Sequence, residues 1–426
     1  MKIRIEKIIY PGKSLARNNG KIIFTNHGLA GEEVEINIIK EKKDYAEAIT
    51  TKVITPSEYR IDPRCGHHEI CSKYQYIKYS QQIIIKQQQL NEIFSRSLKE
   101  QSPPSIQIKP CPSYWHYRNK IHLQLKWNDG IAYYAYHKNK KHDQFTQIDE
   151  CMLGSKQINN LLKKAIDIIN ENKISNIEEI IIRESKNRNQ LLICLLGYRK
   201  NSSLFERIKE LTLLSKNFPI SGIIYLDKKT KKEHIIFGEN HIEDIIDSKK
   251  FYYGANSFFQ INQNMLDQLI IDLKKHIPLD KQKKIIDLYC GVGLFAIILS
   301  GEFKNVFAVE SSPKNIFFLK KNIKDNKINN IRINQGDCEK WILNLNQHKP
   351  DILIVDPPRR GLTNIIINQL IKTPPEFIAY ISCDPMTLAR DLKKLLNAYK
   401  LEHIIAYDFF PQTSHIETLA ILKRNT

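Results

Sequence analysis

The stretch KIIDLYCGVGLFAIILS, residues 284–300, joins an apolar run to a glycine-containing turn and then to a second apolar run. Its spacing predicts a strand at Ile285–Leu288, a loop containing Gly291 and Gly293, and a helix at Leu294–Ser300. Glycines allow the backbone to approach a ligand at the N-terminus of such a helix. We therefore expect a ligand-binding strand–turn–helix unit here.

The same alternation of strands and helices continues toward the C-terminus. The apolar runs NVFAVE (305–310), DILIVD (351–356) and FIAYIS (377–382) are separated by stretches that favour helices. We predict that residues 251–426 form a Rossmann-like α/β domain on an open, mostly parallel sheet.

Acidic residues accompany the early strands of this predicted sheet. Glu310 ends a strand 17 residues after the second glycine, where a carboxylate can accept hydrogen bonds from two ribose hydroxyls, and Asp337 and Asp356 follow later strands. The GVGLFA motif at 291–296 also satisfies the dinucleotide fingerprint, so NAD is the alternative ligand. With Asp287 inside the first strand, the series of acids favours S-adenosylmethionine (SAM).

Two further motifs carry chemistry at strand ends. In DPPRRG (356–361), Arg359 stands where methyltransferases of exocyclic amines have an aromatic residue, which disfavours an amino group as acceptor. In FIAYISCDP, Cys383 is placed to act as a nucleophile. A thiolate that adds to C6 of a pyrimidine makes C5 nucleophilic, and a base must later remove the C5 proton. We expect Glu417 to be that base, with His415 as the alternative.

The first 250 residues predict two further domains. Short β-like runs, separated by PGKSLARNNG and HGLAG, indicate a small OB-like barrel over residues 1–57. A glutamine-rich helix near Ser80–Lys99 and hairpin-like pairs of strands indicate an α+β domain over residues 58–250. Residues 114–120 mix aromatic and basic side chains, which suits either stacking on single-stranded RNA or a hairpin core with solvated lysines.

Composition limits the class of protein. The chain has 426 residues and a net charge of +19, which favours a nucleic-acid partner, although a lysine-rich, AT-biased genome would give the same excess. No stretch approaches about 20 consecutive apolar residues and the N-terminus lacks a signal-peptide core, so we expect a cytoplasmic protein without a membrane partner. Eight cysteines in such a chain favour metal binding or catalysis over disulfides.

Five motifs, taken in order, resemble those of the RNA uracil-5-methyltransferase family: SFFQIN (257–262), DLYCGVG (287–293), DPPRRG (356–361), YISCDP (380–385) and FPQTSHIE (410–417). The chain is most similar to the family's 23S rRNA (uracil-C5)-methyltransferases, which begin with an RNA-binding TRAM barrel. LARNNGKIIF (15–24) and LAGEEVEINI (29–38) resemble that barrel, so the resemblance covers nearly the whole chain. It implies SAM-dependent conversion of a uridine in RNA to 5-methyluridine.

The resemblance also implies roles for individual residues. Cys383 matches the family's nucleophile and Glu417 its proton acceptor. The target base would have to leave its stack to reach Cys383. Positions that contact SAM in the family are matched by Gln260, Tyr289, Glu310, Asp337 and Asp356.

Many members of the family hold a 4Fe–4S cluster on four cysteines. Cys65, Cys71 and Cys151 match three of those positions, but Tyr74 stands at the remaining one. Four thiolates is the usual number for such a cluster. Cys111 is the candidate substitute, and the sequence leaves both an intact and a degenerate site open.

Three interpretations of function follow. The first is a 23S rRNA methyltransferase, the second a tRNA T-loop methyltransferase, and the third an RNA-binding protein that has lost catalysis. The N-terminal barrel favours the first over the second, and the presence of Cys383 and Glu417 disfavours the third. We expect RNA rather than DNA as partner, and a monomer.

Overall fold

The computed structural model describes residues 1–101, 103, 105–139, 144–198 and 203–425, and it begins with a closed five-stranded barrel. Ile3 and Ile5, two positions apart on the first strand, point into the barrel core because successive side chains of a strand face opposite sides. The predicted barrel is confirmed, although its second strand lies inside PGKSLARNNG, which was expected to interrupt the strands. The strands are β1 (Lys2–Ile9), β2 (Lys13–Asn18), β3 (Lys21–Thr25), β4 (Glu33–Glu41) and β5 (Tyr45–Thr55).

A seven-stranded sheet forms the middle of the chain, after α1 (His68–Cys71), α2 (Tyr79–Leu98) and β6 (Ile108–Lys109). Its order is β13-β12-β11-β10-β7-β8-β9, and two of the predicted hairpin-like pairs are β10 with β11, joined at residues 186–189, and β12 with β13, joined at residues 228–232. The elements are β7 (Lys120–Asn128), β8 (Ile131–Asn139), β9 (Gln144–Gln147), α3 (Lys156–Glu171), β10 (Ile177–Ser185), β11 (Gln190–Gly197), α4 (Ser203–Lys209), β12 (Ile220–Asp227), β13 (Glu233–Gly238), and the separate pair β14 (Ile242–Ile246) and β15 (Lys249–Tyr253).

The C-terminal part is an eight-stranded sheet in the order β18-β17-β16-β19-β20-β22-β21-β6. The pairs from β18 to β20 are parallel, whereas β22 is antiparallel to both its neighbours. The elements are α5 (Gln263–His276), β16 (Asp280–Leu288), α6 (Leu294–Leu299), β17 (Phe303–Glu310), α7 (Pro313–Asp325), β18 (Ile331–Gln335), α8 (Cys338–Trp341), α9 (Leu345–His348), β19 (Ile352–Val355), α10 (Asn364–Lys372), β20 (Phe377–Ser382), α11 (Pro385–Leu395), β21 (Tyr399–Tyr407) and β22 (Glu417–Arg424). The predicted open, mostly parallel sheet is confirmed.

Helix α2 and strand β6 belong to the C-terminal layer, although they precede the central sheet in sequence. Leu90 and Phe94 of α2 are buried in one core with Leu388 and Leu392 of α11, and β6 pairs with β21. The segment 58–250 predicted as a central domain is therefore divided between two packing units. Within the described part of the chain, no helix combines the length and apolarity needed to cross a membrane.

Candidate active site

The C-terminal ends of the central parallel strands surround a cavity of about 520 Å³. This edge lies where the strand order reverses, since β16 has β17 on one side and β19 on the other. Open α/β sheets bind ligands at such a point. The cavity lining includes most of the residues predicted for catalysis and SAM binding: Gln260, Tyr289, Glu310, Asp356, Cys383 and Glu417.

The glycine loop forms one wall of the cavity, as predicted. Gly293 has a φ of +94°, and a Cβ there would clash with the side chain of Leu319, so both backbone and packing require glycine. At Gly291 a Cβ would meet no atom within 4 Å, although the residue lines the cavity. The space next to the Gly291 backbone is therefore open, and a ligand could contact the backbone there.

Two buried acids shape this wall. Glu310 accepts hydrogen bonds from the Gly291 N–H at 3.0 Å and the Ser312 N–H at 2.6 Å, and it lines the cavity. Asp287 accepts from the Ala296 N–H at 3.0 Å and so anchors the first turn of α6, while its other oxygen is buried without a hydrogen-bond partner. Burial raises the pKa of Asp287 well above its usual value. Asp287 supports the loop, whereas Glu310 faces the cavity.

The open loop, the carboxylates and the aromatic surface of Tyr289 fit SAM, which presents hydroxyls, an adenine and a cationic sulfonium. Asp337 is placed differently from the other predicted residues. It is exposed, caps α8 by accepting from the Glu339 N–H at 2.6 Å, and does not line the cavity. A SAM contact by Asp337 stays a prediction.

The opposite wall holds the reactive groups. Burial raises the pKa of the Cys383 thiol to about 12; Glu417 and Asp356 add to that shift, and Arg359 opposes it. Burial also raises the pKa of Glu417 well above its usual value, with Asp356 adding to the shift and Arg359 again opposing it. The pKa of Asp356 rises to about 7, likewise through burial. These three groups cannot all be ionised at neutral pH, so protons are available to move among them.

His415 lies beside Arg359, with its Nε2 3.4 Å from Arg359 Nη2. Burial lowers the pKa of His415 to about 4, and the positive charges of Arg359 and Lys86 act in the same direction. The ring is therefore neutral, and its Nε2 can accept a hydrogen bond from the guanidinium. This geometry favours a positioning role for His415 over the role of base.

A buried ion pair holds the loop that leads to Glu417. Lys86 Nζ donates to Asp408 Oδ1 at 2.6 Å and to the carbonyls of Phe410 at 3.3 Å and His415 at 3.0 Å. The Lys86 and Asp408 side chains are both fully buried. The sequence showed no signal for this contact because Lys86 and Asp408 are 322 positions apart.

Other residues of the site were also missed from sequence. Phe258, 66% exposed, lies at the cavity mouth inside the SFFQIN motif, so the motif itself could have pointed to it. Tyr10 of the barrel lies near Cys383: burial raises the pKa of Tyr10 above its usual value, and Asp384 and Cys383 add to that shift. No local pattern connects Tyr10 with a strand end almost 375 residues later.

A family model described as tRNA (uracil-5-)-methyltransferase matches residues 78–425, and a TRAM domain model matches residues 1–51. The chain belongs to the tRNA (uracil-5-)-methyltransferase family. It is thus an RNA (uracil-5-)-methyltransferase, a SAM-dependent transferase with an N-terminal TRAM domain.

Several relatives are similar to this methyltransferase over its whole length. An uncharacterized RNA methyltransferase of Fusobacterium nucleatum is 30% identical over 100% of this chain and 96% of its own, and one of Bacillus cereus is 27% identical over 98% and 95%. The crystal structure of Pyrococcus abyssi tRNA (uracil-54, C5)-methyltransferase, in complex with S-adenosyl-L-homocysteine, covers 99% of both chains with a TM-score of 0.77 and 24% identity. The fold of the methyltransferase is therefore shared from the barrel to the C-terminal sheet.

The three predicted cluster thiols lie around His67 and Tyr136, and two of them belong to residues 65–71, here called the cysteine loop. Cys71 Sγ lies 3.7 Å from His67 Nδ1, and the Tyr136 hydroxyl lies 3.8 Å from Cys151 Sγ. Cys65 lies close to His67 as well. Burial acts to lower the pKa of His67, but a hydrogen bond with Cys65 acts in the opposite direction, and the pKa is raised overall.

The fourth thiolate of a cluster has no counterpart among these residues. Tyr74 is fully buried, and its hydroxyl accepts from Gln89 Nε2 at 2.9 Å. The substitute Cys111 lies in another core, where its Sγ donates to the Ser113 carbonyl at 3.1 Å. A four-cysteine 4Fe–4S cluster does not fit this donor set.

Proposed function

We propose that the enzyme methylates C5 of a specific uridine in RNA through a covalent adduct between Cys383 and C6. The observation that carries this proposal is a single cavity. The nucleophile Cys383, the acid Glu417 and the glycine loop with Glu310 all line it, so a base on Cys383 and a methyl donor on the loop would share one enclosed space.

SAM, when bound, supplies an electrophilic methyl group on a sulfonium. In the first step Cys383 Sγ bonds to C6, its thiol proton leaves to solvent or to a neighbouring carboxylate, and the C5–C6 electron pair becomes an enolate. C5 then bonds to the methyl carbon as the bond from that carbon to sulfur breaks. Ionised Glu417 finally takes the C5 proton, the C5=C6 bond re-forms, and the bond from C6 to Cys383 breaks.

The charges around Cys383 support this order of events. Arg359 is the neighbour that lowers the pKa of both Cys383 and Glu417, so it favours the anion needed in each step. After the adduct forms, the Cys383 sulfur is a neutral thioether. Burial and Asp356 oppose the ionisation of Glu417, so Arg359 is the group that favours it at the stage where a base is required.

Two variants test the covalent step. In Glu417→Gln, we expect an RNA–protein adduct that survives a denaturing gel, because the methylated base cannot lose its C5 proton. Cys383→Ala should form neither adduct nor 5-methyluridine, and Cys194→Ala, a buried thiol in β11, should behave as wild type. Formation of 5-methyluridine by Cys383→Ala would rule out the adduct, and a wild type inactive on every RNA would favour a binding protein.

We propose 23S rRNA as the substrate, on the resemblance of the motifs and barrel to the 23S rRNA enzymes. A tRNA T-loop is the second candidate, since the Pyrococcus protein described as a tRNA methyltransferase covers the barrel region too. The barrel alone therefore does not separate the two. Methylation of 23S rRNA and of tRNA from a strain lacking the activity, with the product mapped, decides between them; methylation confined to tRNA would overturn the rRNA proposal.

RNA specificity and oligomeric state extend the same proposal. We expect no methylation of DNA of the same sequence, because a protein can read the 2′-hydroxyl at its site. We also expect the enzyme to act as a monomer, which light scattering of the purified protein alone and with RNA would measure.

A further inference from the structure

Three ligating side chains meet at the junction of the barrel with the cysteine loop. His27 lies in the turn between β3 and β4, and His68 and Glu69 lie in α1. One donor atom from each of the three lies within 4.8 Å of the other two. The His27 and His68 rings are edge to face with centroids 5.4 Å apart, and His27 Nε2 is 3.3 Å from Glu69 Oε1.

The His68 ring is oriented as a metal ligand would be. Its Nδ1 lies 3.1 Å from the Cys65 carbonyl, and a carbonyl only accepts, so Nδ1 carries the hydrogen and donates. Nε2 is left with its lone pair. Metal-binding histidines are commonly fixed in this way by a second hydrogen bond to a carbonyl.

We propose that His27, His68 and Glu69 bind one zinc ion that ties the barrel to the cysteine loop. Two imidazoles and a carboxylate are a donor set that zinc uses with three protein ligands, leaving one position to water. A cleft of about 260 Å³, lined by all three residues and by Thr50 and Lys52, gives water access to that position.

The positive charge of Arg60, which lies next to the site, is already balanced. Arg60 donates to the His27 carbonyl and to Glu32 Oε2, the latter at 2.6 Å, so its guanidinium is paired with a carboxylate. A cation at this site therefore meets two imidazole rings and one carboxylate.

An ordinary ion pair does not account for this arrangement. His122 and Glu179 form such a pair at 2.6 Å, and Lys228 binds the same carboxylate. At the junction the His27 ring, which contacts the Glu69 carboxylate, also lies edge to face with a second imidazole, that of His68. A shared cation explains the presence of both rings.

The site is separate from the neighbouring thiols. His67 points toward the central sheet, with Nε2 3.1 Å from the Glu150 carbonyl and its ring against Tyr136. His68, the next residue, points toward His27 of the barrel. Consecutive histidines thus face different parts of the protein, and only the second belongs to the proposed zinc site.

Cobalt titration of the full-length protein, after removal of metal with a chelator, tests the proposal. We expect one equivalent of Co²⁺ to give visible d–d absorption without a thiolate charge-transfer band. His27→Asn, which tolerates the positive φ of 55° at this position, and His68→Gln should each weaken binding by at least about tenfold. His122→Gln and the double variant Cys65→Ser/Cys71→Ser should bind as wild type does.

Two results would overturn the zinc site. One is binding that shows thiolate charge transfer and is lost in Cys65→Ser/Cys71→Ser but kept in His68→Gln, which assigns the metal to the cysteines. The other is the absence of saturable binding by the wild type. Circular dichroism checks that each variant folds, and zinc should raise the Tm of wild type and His122→Gln but not that of His27→Asn.

Discussion

The two walls of the active-site cavity are built in different ways. The wall with the glycine loop, which is predicted to bind SAM, comes from one short stretch of sequence. Within that stretch the Gly291 N–H donates a hydrogen bond to Glu310, 19 residues later. The wall with Cys383 and Glu417 depends on α2, whose Lys86 and Gln82 hold residues 408–415 from more than 320 positions away. The first wall is therefore contained in a motif, and the second rests on residues that no motif includes.

The largest effect that would test this difference is expected at Lys86. Lys86→Met leaves the Asp408 carboxylate buried without its cation, which should cost about 3–5 kcal/mol of the free energy of unfolding. Urea unfolding measures this loss. As a control, Lys7→Met breaks the half-exposed pair with Glu92 and should cost less than about 1 kcal/mol.

The double variant Lys86→Met/Asp408→Leu sharpens the comparison. Replacing both charges by apolar groups should recover most of the stability, but the carbonyls of Phe410 and His415 still lose their donor. We expect a kcat at least about tenfold below wild type, with an unchanged Kd for SAM. Wild-type kcat in the stable double variant would show that α2 does not position the loop.

A smaller effect is expected on the wall with the glycine loop. Gly293→Ala places a methyl group against Leu319 at a φ of +94°, which should cost about 1–2 kcal/mol and displace the loop. Calorimetric titration should show SAM binding about tenfold weaker, the equivalent of about 1.4 kcal/mol. Gly301→Ala, where a Cβ would meet no atom within 4 Å, is the matched control. Equal SAM affinity in both variants would contradict the close approach seen at Gly293.

The smallest effect concerns pH. The pKa of Asp356 is raised in the folded protein to about 7, so the folded state holds a proton that the unfolded chain releases near its ordinary pKa. Stability from this group is fully present below the unfolded pKa and is lost as pH rises toward 7. Between pH 5.5 and 7 we expect wild type to lose about 1–2 kcal/mol more than Asp356→Asn in urea unfolding. Parallel pH profiles would contradict the raised pKa.

Sequence patterns predicted most accurately those features that depend on residues close together in the chain. The strand–turn–helix at 284–300, the acid at the end of β17 and the thiol after β20 lie where periodicity and turn chemistry predicted them, since each depends on neighbours within one unit. Segment 114–120, which mixes aromatic and basic side chains, shows where prediction from sequence fails. Tyr117 is buried, its hydroxyl donating to the Pro411 carbonyl at 3.1 Å, whereas Tyr114 is exposed and stacks on Tyr79. Composition cannot tell such neighbours apart.

The glutamine-rich helix shows what only tertiary structure decided. Its spacing predicted a helix at Ser80–Lys99, and α2 forms at Tyr79–Leu98. Its buried glutamines then connect distant parts: Gln82 donates to Gln412 Oε1 at 2.8 Å, and Gln89 donates to the Ile8 carbonyl at 3.1 Å. Buried amides require partners, but nothing in the helix specifies which ones.

The sequence by itself determined the sheet and the glycine loop, and it predicted the nucleophilic role of Cys383, because these follow from side-chain periodicity and from residue types at strand ends. The tertiary structure alone decided that Tyr10 of the barrel lies by Cys383, that Asp337 stands outside the cavity, and that Tyr74 fills a core rather than a cluster position. The physical reason is the distance along the chain over which each effect acts. Backbone preference acts over a few residues, whereas burial and ion pairing act between surfaces that the chain brings together only when it folds.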